Sequence, residues 1–193
     1  MVYLYKDIIS PDARTFSVVE HPTTGRGGMA VMAHESFGVD IVSAKLCNDL
    51  VNLGFGYNKS YSELHLPKTN KSLIPHFIRG YFDGGGSFVA SIHKLKNRTN
   101  PVVVMCMSII AKTPTTLNEF IQYFGDEYGL AININYISRD HLYRLTVSSK
   151  ETCRIIYHIL YDNANFYLSR KFNKFNYYAN TEDVQIIADA RNA

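Results

Sequence analysis

The chain of 193 residues has no tryptophan, six prolines and three cysteines, Cys47, Cys106 and Cys153. The cysteines are odd in number, widely spaced and never arranged as CxxC. That argues against a cysteine-bound zinc ion and against a disulfide framework. Free cysteine usually behaves as a small core residue, so all three are expected to be buried and reduced, in an intracellular, reducing compartment. No apolar run approaches the ~18–20 residues of a membrane span. The opening MVYLYKDIIS has no basic stretch ahead of an apolar one, so no secretory leader is expected. With 46% hydrophobic and 19% charged residues, wholesale disorder and a collagenous chain are also excluded.

Acidic residues are missing from one long stretch. None occurs between Gly84 and Lys112, although His93, Lys94, Lys96, Arg98 and Lys112 do. The formal net charge of +3 is too small to imply a nucleic-acid partner by itself. Its distribution says more, because residues 76–178 carry twelve basic and seven acidic side chains and residues 1–75 carry seven of each. The acid-free stretch reads either as a solvated hairpin or as a strand pair facing phosphates. Aromatic residues make up 13% of the chain, with 14 tyrosines. Most are expected in the core.

Hydrophobic spacing maps the elements. Residues 14–20 and 28–34 read as two strands across the glycine-rich turn Thr24–Gly28. A helix follows over 43–54, with Ser43 as its cap and Leu46, Cys47, Leu50 and Val51 on one face. The polar segment 55–70 reads as a linker. A second helix covers 72–84, capped by Ser72, with Pro75 in its first turn and three glycines at its end. Strands 87–95 and 102–111 come next, then a helix opened by Thr113 and Pro114, with Leu117, Phe120, Ile121 and Phe124 on its buried face and Gly129 as its stop. Strands 131–137 and 142–147 precede a helix with a capping box at Ser148 and Glu151, which buries Ile155, Ile156, Ile159 and Leu160. A last helical stretch covers 171–178, and the residues after Thr181 are expected to fray. The fold class is α+β, an antiparallel four-stranded sheet with helices on one face.

The string Phe77-Ile78-Arg79-Gly80-Tyr81-Phe82-Asp83-Gly84-Gly85-Gly86 is the informative one. Gly80 and Gly84 stand four apart, on one helix face, where a second backbone can approach closely. A phosphate-cradling loop is the rival, but its glycines precede a helix and here they follow one.

On these residues the sequence resembles the LAGLIDADG homing endonucleases. Ile78 to Gly86 lines up with the nine-residue signature, and Pro67 with the run-in ahead of it. The helix over 43–54 followed by Asn58-Lys59-Ser60 is similar to what precedes the second motif in two-motif members. The resemblance implies a partial first half over 1–71, a complete unit over 72–178 and a tail over 179–193. It implies two glycine-faced helices packed at a pseudo-twofold axis and sheets that saddle the major groove of double-stranded DNA. It also implies Mg²⁺ held by an acid at the end of each motif, serving phosphodiester cleavage. A hard cation suits that chemistry because it generates hydroxide and stabilises the leaving oxygen.

The sequence departs from that pattern at the eighth position, where Gly85 stands in place of the metal-binding acid. Asp83 fills the sixth, which mainly packs the helix end. No glycine-spaced helix leads to Asp7 or Asp12 in the first 40 residues. Three readings follow: a binder that does not cut, such as an intron maturase or transcriptional regulator acting on DNA or intron RNA; a nuclease inactivated at Gly85; or metal binding taken over by Asp83. Asp83, Gly85 and Lys112 are therefore the candidate catalytic positions. A structural subunit or homodimer docking through Gly80 and Gly84 is a further reading. For nucleic-acid contact, alternation singles out Ser91, His93, Asn133, Asn135, Arg144 and Thr146 on strands. Lys94, Lys96, Arg98 and Arg139 stand at strand ends and turns. Asn and Arg suit base edges, and Lys suits phosphates. Ile132, Ile134 and Tyr136 would pack beneath. Arg170 and Lys171 read either as a basic phosphate-facing segment or as a solvated helix face.

Overall fold

The computed structural model describes residues 10–19, 23–24, 30–31, 35–55, 64–94, 96 and 99–192. The chain divides into two units, residues 1–49 and 50–193.

In the first unit, β1 (Arg14–Val19) pairs antiparallel with a strand at Glu35–Asp40, in register from Arg14 opposite Asp40 to Val19 opposite Glu35. Between them, β2 (Thr23–Thr24) and β3 (Ala30–Val31) form a two-rung ladder. The long partner of β1 is therefore this later strand, β4, and not residues 28–34. Six ladder pairs outweigh two, and Gly38 leaves room for the Phe16 ring opposite: a Cβ there would lie 2.3 Å from Phe16 Cζ. Helix α1 (Ala44–Asn52) starts where expected, with Ser43 Oγ accepting from the Leu46 N–H at 3.2 Å. None of its residues is buried.

The first element lying wholly in the second unit is a 3₁₀ turn (Lys71–Leu73) running into α2 (Ile74–Gly85). Asn70, not Ser72, is the cap: its carboxamide oxygen accepts from the Ser72 N–H at 3.0 Å. β5 (Ser87–His93) and β6 (Val102–Ala111) follow, then α3 (Thr115–Tyr128), whose first residue comes after Pro114. Neither Thr113 nor Pro114 gives it a side-chain cap. Gly129 ends α3 at φ 66°, the left-handed conformation that glycine adopts without penalty. β7 (Asn133–Ile137) and β8 (Leu142–Val147) form a hairpin, and α4 (Lys150–Tyr161) is capped by Ser149, one residue later than expected, through the Thr152 N–H. α5 (Ser169–Asn180) and α6 (Asp183–Asn192) complete the unit.

The sheet is antiparallel in the order β5-β6-β8-β7. Its inner face contributes Phe88, Val103, Met105, Met107, Ile109, Leu145 and Val147 to one hydrophobic cluster. The helices contribute Ile78, Phe82, Leu117, Phe120, Phe124, Ile156, Leu160 and Phe175 to the same cluster. Ile155 and Ile159, expected in this core, are half-buried, and Cys153, Tyr157 and Tyr161 take that side of α4 instead. The segment after Thr181 is ordered as α6: Ile186 is 2% exposed, and Asp183 is bridged by Lys150 and by Arg154 Nη2 at 3.4 Å. The cysteines also divide, contrary to expectation. Only Cys153 is buried, with its thiol pushed up to about 12 by desolvation; Cys106 is half-buried and Cys47 exposed. Among the described residues no helix is long and apolar enough to cross a membrane.

Candidate nucleic-acid interface

Strand alternation sends the residues opposite the core to one open face of the sheet. The ladder arranges them in rungs: His93 beside Val102, Ser91 beside Val104, and Val89 beside Cys106. Next comes a row across all four strands, Ser87, Ser108, Thr146 and Asn133, and then Ile110, Arg144 and Asn135. The six strand residues predicted from alternation thus share one surface. Ser91 Oγ and His93 Nε2 lie 2.8 Å apart, which orients the imidazole along the strand. None of the four strands carries an Asp or Glu.

Lys94 and Lys96 are exposed beyond β5, and Arg98 lies outside the described residues. Arg139 sits in the β7–β8 turn, not on the strand face. Its Nε and Nη2 donate to Asp140 at 3.1 and 3.3 Å. This pairing raises the guanidinium and lowers the carboxyl from their ordinary values, and it offsets the arginine's charge locally. Tyr136, expected to pack beneath the sheet, is 53% exposed. It lies 5.0 Å, ring to ring, from Tyr143, and its hydroxyl is 3.0 Å from His141 Nδ1. Alternation alone had singled out polar residues. The same face also holds the apolar Val89, Val104 and Ile110, at 53, 39 and 38% exposure.

The end of α2 is built from distant parts of the chain. Both oxygens of Asp83 are engaged, one by the Tyr161 hydroxyl at 2.7 Å and one by the Leu168 N–H at 2.9 Å. Burial and the Asp83 carboxylate push the Tyr161 hydroxyl well above its ordinary value. Lys171 is 8% exposed, neither solvated nor free for phosphate. Its ammonium donates to the carbonyls of Phe82, Asp83 and Gly86 at 2.7, 2.9 and 2.5 Å. A cation here satisfies open carbonyls at the negative end of the helix dipole. Desolvation, with Arg170 adding to it, lowers the lysine from its ordinary value. Arg79 ties the same helix to Leu160 O at 3.0 Å and Phe166 O at 2.9 Å. Its Nη1 also meets His76 Nδ1 at 2.6 Å, and burial followed by this guanidinium lowers the imidazole. Sequence gave no sign of the Lys171 contact, since its partners lie 85 to 89 residues away.

The glycines of the motif are not equivalent. A Cβ at Gly86 would meet Phe82 at 2.2 Å, so that position is set by packing. A Cβ at Gly80, Gly84 or Gly85 meets nothing within 4 Å. Lys112, exposed just past β6, lines a cavity of about 570 Å³ with His76, Phe77, Gly80, Tyr81 and Thr116. These residues do not fit a hard divalent cation: Gly85 offers no side-chain ligand, and Asp83 is committed to the helix end. Among the described residues no group of three His, Cys, Asp or Glu side chains could hold a metal.

The structure is similar to those of several LAGLIDADG homing endonucleases. One is I-LtrWI bound to target DNA, at TM-score 0.46 and 18% identity over 64% of this chain and 39% of that one. A second is the group I intron-encoded I-CeuI complexed with DNA, at 0.47 and 17%, over 59% and 55%. A third is the meganuclease I-SmaMI bound to uncleaveable DNA, at 0.44 and 16%, over 78% and 53%. The chain therefore spans about half or less of the length of these proteins. No family model matches the chain, and no curated protein sequence does.

Proposed function

We propose that this chain is a LAGLIDADG-like protein, with its complete unit at residues 72–178, that lays the open face of its sheet on double-stranded DNA without cleaving it. The observation that carries this reading is the sheet face itself: rungs of Asn, Arg, Ser, Thr and His on four strands without an acid. Such a surface presents donors and acceptors to base edges and no like charge to phosphates. Lys94 and Lys96 at the open end of β5 suit the backbone. The glycine face of α2 is the seat for a like helix from a second copy of the chain, because helix backbones meet closely only where side chains are absent.

Cleavage is assigned a lesser place because the donor set at the end of α2 does not suit Mg²⁺. The test is a titration of duplex DNA selected from a random pool, followed by fluorescence anisotropy across salt concentration. The expected result is a specific site whose log affinity falls linearly with log salt, with intact DNA in Mg²⁺. The Gly85→Asp variant, whose side chain has room, is expected to bind equally well. Mg²⁺-dependent nicking by the natural sequence would overturn the non-cleaving reading. Equal affinity for duplex RNA, or no affinity at moderate salt, would overturn the DNA reading.

A further inference from the structure

We propose that the β5–β6 ribbon reads thymine methyl groups, so that the DNA half-site under it is rich in A·T pairs. This rests on the DNA-binding reading above and adds its specificity.

Val89, Val104 and Ile110 on the open face are 38 to 53% exposed, and Cys106 beside Val89 is half-buried. These side chains carry no strong hydrogen-bonding group. Over a G·C pair they would strip water from the guanine acceptors and the cytosine donor without replacing it. Over an A·T pair they meet the C5-methyl of thymine, the apolar feature of the unmodified major groove. The polar rungs beside the strip agree. Asn133 and Asn135, both exposed, carry carboxamides matched to adenine N6 and N7. The four strands hold one arginine, Arg144, between Ile110 and Asn135, so bidentate arginine–guanine pairing from the strands is confined to that rung.

Spacing is compatible with base readout. Residues on one strand face recur about every 6.8 Å, close to two base-pair steps of about 3.4 Å each. The five rungs from His93 to Arg144 then span about eight base pairs. A protein occupant is less well matched. Val89, Val104 and Cys106 are bounded by His93 at one end and by the row Ser87, Ser108, Thr146 and Asn133 at the other, and Ile110 stands alone beyond that row beside Arg144. A second copy of this sheet would bring the basic surroundings of Lys94, Lys96 and Arg144 against themselves.

The experiment compares the selected duplex with one in which the half-site thymines are replaced by deoxyuridine, which removes only the methyl groups. The expected result is a selected half-site dominated by A·T, and a loss of affinity of about fourfold for each contacted methyl removed, from the transfer value of one buried carbon. The Val89→Ser, Val104→Ser double variant should bind the thymine duplex more weakly and lose less than the natural protein on deoxyuridine substitution, the remainder of the difference resting on Ile110 and Cys106. The deoxyuridine comparison on the natural protein needs no variant to fold. Specific binding to a G·C-rich half-site, or binding indifferent to deoxyuridine, would overturn the inference and leave DNA binding standing. Absence of binding would overturn both.

Discussion

Along α2, Ile74, Ile78 and Phe82 recur every four residues and are 6, 0 and 0% exposed, whereas Gly80 and Gly84, on the other side of the same helix, have nothing within 4 Å of a Cβ. Glycine inside a helix costs about 0.5–1 kcal/mol relative to alanine. One face recovers that cost in a core built by its own chain. On the other face the described residues supply no contact that needs the glycines. The proposed docking of a like helix is what would offset the cost of the two glycines on that face.

The largest expected effect lies on the finished face. Phe82→Ala should lose about 3–5 kcal/mol of unfolding free energy in a urea titration, since the side chain projects from α2 wholly buried beside the Phe175 ring. Lys171→Ala comes next, at about 1–3 kcal/mol, because it removes the ammonium donor from the carbonyls of Asp83 and Gly86 and leaves that of Phe82 with the Gly86 N–H alone. A smaller loss would mean that water reaches the helix end. On the open face the sign should reverse: Gly80→Ala and Gly84→Ala should each leave the monomer as stable or up to about 1 kcal/mol more stable. Sedimentation of the same variants should show weaker self-association. Loss of monomer stability would show that the glycines serve the chain's own packing.

The smallest effect is a pH dependence. His76 is held below its ordinary value of 6.5 by burial and by Arg79. The folded state then disfavours the proton that the unfolded chain takes up. Stability from this residue is complete above pH 6.5 and falls as the pH drops through the lowered folded value. His76→Asn should flatten that part of the melting-temperature profile. An unchanged slope would place the proton elsewhere.

Much of this architecture was legible in local sequence. The period of Leu117, Phe120 and Phe124, the glycine stop at Gly129 and the alternation through Asn133–Ile137 each describe one element, and one element's pattern depends on neighbours three or four residues away. Caps slipped by one or two residues, as at Asn70 and Ser149, because several polar side chains near a helix start compete for the same N–H groups. The candidate site was legible only in part. Alternation placed Asn133, Asn135, Arg144 and Thr146 on one surface, yet it could not tell that Arg139 would turn to Asp140.

By itself, then, the chain's order of residues determined the elements, the sheet's two-faced character and the glycine notch of α2. Only the tertiary structure decided that β1 pairs with β4, that α6 is pinned through Ile186 and Asp183, and that Lys171 closes the carbonyl end of α2. The physical reason is range. Helix and strand patterns come from steric and hydrogen-bonding rules within a few residues, whereas a buried cation has its partners chosen by which backbones the core brings together.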